Sequence, residues 1–174
     1  LHRKPHENSM ARYSLNHCIL QRSSSLISPT MTDPKNKKGF HIALEEETVS
    51  NSDFRRVLYT NEQLQLVLMS LKPGEEIGLE THPDNDQFFR FDAGQGKVII
   101  NRNEYNVKDG DAIIVPKGAE HNVINTSDSA NGGVDLKFYT IYAPAHHKDG
   151  IVRATRAEAV DPANDEDFDG VTSE

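Results

Sequence analysis

A chain of 174 residues is long enough for one domain with a sizeable core and too short for two ordinary ones. Apolar residues make up 36% and mean hydropathy is −0.64, low for a compact domain, so polar, disordered flanks are expected, and no apolar run approaches the length of a membrane span. Residues 1–30 carry Arg3, Lys4, Arg12 and Arg22 against Glu7, a balance of +3 that leaves −11 for the rest of a chain whose net charge is −8; an acidic body of this kind argues against a nucleic-acid partner, whose phosphates need a basic face.

The first thirty residues contain Arg and Ser, few acids and no hydrophobic periodicity, with Ser23-Ser24-Ser25 near their end. Three readings fit: a transit peptide, upstream sequence translated ahead of a true start at Met31, or a plain disordered extension. The second is preferred, because the chain begins with Leu1 and Met31 opens the polar run Thr32 to Lys38. That reading places the working protein at Met31 onward in the cytoplasm and assigns residues 1–38 to a disordered or mis-started extension. The lone Cys18 cannot form an internal disulfide, which is compatible with a reducing compartment, and its place outside the strand region argues against a catalytic thiol.

From Phe54 onward the pattern is one of short strands. Gln63–Leu71 sets Leu64, Leu66 and Leu68 against Gln65, Val67 and Met69, and further strands are predicted at Ile77–His82, Gln87–Phe91, Lys97–Ile100, Asp111–Val115, His121–Ile124 and Leu136–Tyr142. Turn signals separate them at Lys72-Pro73-Gly74, Gly94-Gln95-Gly96, Asn101-Arg102-Asn103, Asp109-Gly110 and Asn131-Gly132-Gly133, the pattern of an all-β sandwich or barrel. Helix is predicted only around Arg153–Ala159. The tail beyond it, with Asp161, Asp165, Glu166, Asp167, Asp169 and Glu174, reads as a solvated, flexible end. The organisation expected is thus an extension (1–38), a barrel with an N-terminal arm (39–152) and an acidic tail (153–174).

Two stretches concentrate the chemistry. The first runs Gly74, five residues, Glu80-Thr81-His82, four residues, Gln87, six residues, Gly94; the second runs Gly110, five residues, Pro116-Lys117-Gly118, two residues, His121, three residues, Asn125. Side chains two apart on a strand share a face, so Glu80 and His82 can enter one cavity together, and the turn at Pro116-Lys117-Gly118 brings His121 back from a later strand. The pair resembles the two motifs of the cupin superfamily, G-x5-H-x-H-x(3,4)-E-x6-G and G-x5-P-x-G-x2-H-x3-N. The second is met at every defined position. The first departs twice, with Glu80 where the family has its first His and Gln87 where it has Glu. The resemblance covers about residues 62 to 144.

The resemblance implies a single-domain double-stranded β-helix, or jelly-roll, barrel with disordered N- and C-terminal extensions. It also implies a divalent metal on Glu80, His82, Gln87 and His121. That set keeps the single negative charge of the usual three His and one Glu and suits zinc, manganese, iron or nickel. Asp86 is an alternative donor if the intervening turn is one residue shorter, and strand alternation decides between it and Gln87. Without a metal the same four side chains would form a polar network at a barrel mouth.

The functions implied are equally broad. Small single-barrel cupins are similar to mannose-6-phosphate isomerase, which suggests a metal-dependent isomerase that binds or converts a small polar molecule, a sugar or sugar phosphate among them. Glu80 would serve as a catalytic base if desolvation raises its pKa, and Lys117 is the one cation in view for a phosphate. A non-catalytic ligand-binding barrel and a non-haem iron dioxygenase are the alternatives. Phe89, Phe91, Val98, Ile100, Ile113, Val115, Val123, Phe138 and Ile141 are candidates for an apolar wall, though most are expected to be plain core. Tyr139 and Tyr142 offer hydroxyls toward a ligand. Arg90 falls opposite Gln87, and His146 and His147 are read as surface residues outside the site. By resemblance the partners are a small molecule and a second copy in a homodimer, with Gly39–Tyr59 as an exchanged arm.

Overall fold

The computed structural model describes residues 34–164 and 166–174; the expectations for residues 1–33 lie outside them. Among the described residues, ten strands form two antiparallel sheets: β1 (Arg55–Asn61), β2 (Leu64–Leu71), β3 (Glu80–Thr81), β4 (Asp86–Ala93), β5 (Gln95–Ile100), β6 (Asn103–Lys108), β7 (Ala112–Val115), β8 (Glu120–Asn125), β9 (Leu136–Ala143) and β10 (Val152–Arg153). One sheet has the order β10-β1-β2-β9-β4-β7 and the other β3-β8-β5-β6. The all-β expectation holds, and the two sheets pack as a jelly roll.

Strand alternation sets the core. On β2 the inward face is Gln65, Val67, Met69 and Leu71, each buried, while Leu64 is exposed. Phe89 and Phe91 of β4 and Leu136 and Phe138 of β9 face inward beside them, opposite Val98 of β5 and Val123 of β8. The rings of Phe91 and Phe138 lie 5.3 Å apart, and Phe138 meets Phe89 edge-on at 5.9 Å. Of the nine wall candidates, six are fully buried core residues; Ile100 and Ile113 pack against that core, whereas Ile141 falls on the opposite face of β9.

Four features differ from the sequence expectation, each for a physical reason. The strand expected over Ile77–His82 is reduced to Glu80–Thr81, because Gly78 takes a φ of +101° that no strand residue adopts and its N–H bonds the Asn122 side chain instead of a ladder partner. The strand β6 was not expected because only Val107 among its six residues is buried, so it carries no alternation. A helix, α1 (Leu44–Ser50), packs on β4 and β9, with Glu45, Glu46 and Glu47 in its first turn, where the helix dipole favours acids, and with Thr48 buried. A second helix, α2 (Arg156–Ala159), sits where helix was expected. Within the N-terminal segment β1 pairs with β2 and β10, and Phe40 stacks on Tyr59 at 5.4 Å.

The fourth departure is the acidic tail, which is not a loose end where it is described. The Lys148 N–H donates to Glu166 O at 2.9 Å, Phe168 N–H to His146 O at 3.0 Å and Ser173 N–H to Thr60 O at 2.9 Å, so the tail is strapped along the β9 exit and β1. Glu166 forms a close ion pair with Arg55 and accepts from Arg153 Nε at 2.7 Å. Composition counts Glu166 as solvated charge; the fold uses it to neutralise two arginines, one of them buried.

Candidate metal centre

The register of β3 and β8 places Glu80 directly opposite His121. His82 leaves β3 at its end, and its carbonyl accepts from Gly118 N–H at 2.7 Å, so the Pro116-Lys117-Gly118 turn of the second motif anchors the His of the first. Gly118 has a φ of +78°, a conformation that favours glycine at this turn. One carboxylate oxygen and one ring nitrogen from each His lie within 4.8 Å of one another. The two imidazoles tilt together at a centroid separation of 5.3 Å, and His82 Nε2 stands 3.4 Å from Glu80 Oε2. Gln87 faces the same interior from β4 in the other sheet, paired across the ladder with Tyr142, and is 3% exposed.

What these atoms lack is informative. His82 Nε2, His121 Nε2 and Gln87 Oε1 are buried and have no hydrogen-bond partner; the 3.4 Å approach of His82 to Glu80 is too poorly aligned to count as one. Orphaned buried polar atoms are costly, and two of these belong to the close Glu80–His82–His121 group, which calls for a further group between them. His121 Nδ1 lies 3.1 Å from Ala119 O, a contact that requires the proton on Nδ1 and turns the Nε2 lone pair inward, the arrangement that metal-bound imidazoles use. Two imidazoles and a carboxylate therefore fit a divalent ion as a donor set.

Electrostatics support charged Glu80 and neutral His121. Burial pushes the Glu80 carboxyl up, but the interaction with His82 and the positive field of Arg55 outweigh it and hold the group below its ordinary value. The raised pKa expected from desolvation alone is thus reversed in sign. Burial pushes His121 down, only partly offset by the Ala119 carbonyl and Glu80. Tyr142, fully enclosed, is pushed up by burial and keeps its proton; its ring lies 5.6 Å from His82.

Other candidates resolve by position. Asp86 lies on the outer face of β4 and accepts from Lys117 N–H at 2.9 Å, so alternation favours Gln87 as the inward residue. The Lys117 side chain is exposed. Arg90 pairs with Asp92 at 3.3 Å on the outer face, and Tyr139 shares that face. Asn125 of the second motif is structural, because its amide donates to Leu71 O and Val134 O, both at 2.9 Å, and its Oδ1 accepts from Ser127 N–H. The reading of His146 and His147 as surface residues is overturned. His147 is 5% exposed with Nε2 3.4 Å from the Tyr142 hydroxyl, and the His146 ring sits 4.3 Å from that of His82. Burial pushes His146 down to about 4 and His147 well below its usual value. Neither belongs to a motif, and the Tyr-Ala-Pro run before them was the only signal that a turn returns here.

A Cupin domain model matches residues 67–132. The chain is 44% identical over 129 residues to the Bacillus subtilis protein YrkC, covering 71% of this chain and 67% of that one, and 40% identical over 121 residues to the Acanthamoeba polyphaga mimivirus protein L612, covering 68% and 73%. The crystal structure of BH2720 from Bacillus halodurans superposes with a TM-score of 0.65 at 43% identity, over 71% of this chain and 95% of that one. KdgF from Halomonas sp. shares the fold, with a TM-score of 0.51 at 18% identity over 63% and 96%. The chain belongs to the cupin family, and its interior carries a Glu/His/His group of metal-binding type.

Proposed function

We propose that this cupin binds a divalent metal ion through Glu80, His82 and His121, with Gln87 Oε1 beside them, and uses the centre to hold a small polar organic molecule. The observation that carries this reading is the convergence of the three donor atoms within 4.8 Å, with both Nε2 atoms unpartnered. A bound ion would supply Lewis acidity toward an oxygen of the ligand. Glu80, held ionised by His82 and Arg55, acts as a donor rather than as a base, since a lowered pKa weakens it as a proton acceptor. His121 stays fixed by Ala119, and Tyr142 closes the interior as a neutral hydroxyl-bearing wall.

The ligand favoured is an uncharged polar molecule. A phosphate would need a cation aimed inward, yet Arg55 is engaged by Glu166 and Lys117 is exposed. The test is metal content and zinc or manganese titration calorimetry on the full chain. About one ion per chain is expected, with binding lost in His82→Ala and His121→Ala; equal binding by the double variant would refute the site.

A further inference from the structure

Relative to the cupin pattern this chain has one imidazole fewer in its first motif, and the fold holds an imidazole that neither motif contains. His146 lies just beyond β9, its ring 4.3 Å from that of His82 at an interplanar angle of 63° and 5.2 Å from that of Tyr142. Two imidazoles on one ion, with metal–nitrogen bonds of about 2.0–2.1 Å and angles between right and tetrahedral, have centroids about 4.5–5.3 Å apart. The His82–His121 separation of 5.3 Å falls at the upper end of that range, and the His82–His146 separation of 4.3 Å just below its lower end.

The backbone carrying His146 is held from three sides. Phe168 N–H of the C-terminal strap donates to His146 O at 3.0 Å. The N–H groups of His146 and His147 both donate to Gln65 Oε1, at 3.3 and 2.8 Å, and Asn85 Nδ2 donates to Pro144 O at 2.7 Å. Gln65 is itself fully buried and anchored through its amide nitrogen to Thr60 and His147 O. With the main chain fixed, rotation of the side chain is the freedom left to the imidazole. As it stands, His146 is not part of the close Glu80–His82–His121 group, so joining it takes a turn of the ring away from its edge-on contact with His82.

We propose that His146 is a donor of this centre, the third imidazole, restoring from outside the motifs the set of three His and one carboxylate. The inference rests on the reading of Glu80, His82 and His121 as a metal centre. The chain loaded with one equivalent of zinc is studied by X-ray absorption, which counts coordinated imidazoles, alongside His146→Ala, His146→Phe and the His82→Ala/His121→Ala double variant, with circular dichroism as a check on folding. Three imidazoles are expected in the unaltered chain and two in both His146 variants, with zinc affinity at least tenfold weaker in each. Phe preserves ring packing on His82, so recovery of full affinity by His146→Phe would show a packing role and overturn the proposal. Two imidazoles in the unaltered chain would overturn it while leaving the Glu80–His82–His121 centre intact, and zinc bound equally by the double variant would overturn both.

Discussion

Replacing Glu166 by Ala tests how far the C-terminal strap is part of the fold. Its carboxylate forms an ion pair with Arg55, whose side chain is 7% exposed, and with Arg153, at 21%. Removing one partner of a buried pair leaves an uncompensated charge and costs about 3–5 kcal/mol. The cost should lie within that range because Arg55 Nε already has no hydrogen-bond partner, so the guanidinium has little else to turn to. For a folded unit of about 140 residues the unfolding entropy is about 0.3 kcal/mol/K, which converts the loss into a fall in Tm of about 10–17 °C. Calorimetry of the metal-free chain reads this directly, and Glu166→Gln, which keeps a hydrogen-bond acceptor, should fall between the two. Replacing Arg55 and Glu166 together by Met and Leu should recover most of the loss, since neither charge is then stranded. A fall of under about 3 °C for Glu166→Ala would mean that the pair behaves as a surface ion pair and that the strap contributes little.

Acid should weaken the metal-free protein before its carboxylates titrate. His146 is held neutral down to about 4, against an ordinary 6.5, and His147 is shifted in the same direction. Above about pH 6.5 neither state gains a proton; below it the unfolded chain protonates first, so stability is lost as pH falls from about 6.5 through about 4, by up to about 3 kcal/mol from His146. Urea midpoints at pH 7.5, 5.5 and 4.5 should decline accordingly, with a shallower decline in His146→Phe; midpoints that stay level would contradict the neutral buried imidazoles. Asn125→Ala strands Ser127 N–H and takes a donor from Leu71 O, while Val134 O keeps the Ser127 hydroxyl, and about 1–3 kcal/mol of stability should be lost. Zinc affinity at 25 °C should be unchanged in that variant, and a tenfold loss would make Asn125 part of the centre.

The architecture was legible because its turns are spelled in glycine and its inward positions in apolar residues: Gly74, Gly94, Gly110 and Gly118 all take positive φ, and Phe89, Phe91, Val123 and Phe138 all face the core. Glu80, His82, Gln87 and His121 could be named because motif spacing and strand alternation act locally, and the structure brings them to one interior. The sign of the Glu80 shift could not be read, since it depends on how closely the His82 ring approaches and on Arg55, twenty-five positions upstream and in the other sheet, set against burial. His146 was missed for a related reason: its proximity to His82 is created by a loop that Gln65, Asn85 and Phe168 hold from distant parts of the chain. The strap was missed because a carboxylate's composition does not reveal whether an arginine awaits it.

Glu80 and His121 sit on the smaller sheet and His82 at its margin, while Gln87 and Tyr142 belong to the larger. An ion captured there would rivet the two halves at one end of the sandwich, leaving the far end to apolar packing. Opening should then become polarised: loading the centre would slow amide exchange near Thr81, Gln87 and Asn122 far more than around Gly96 or Val107, so occupancy would be readable in which end of the molecule breathes.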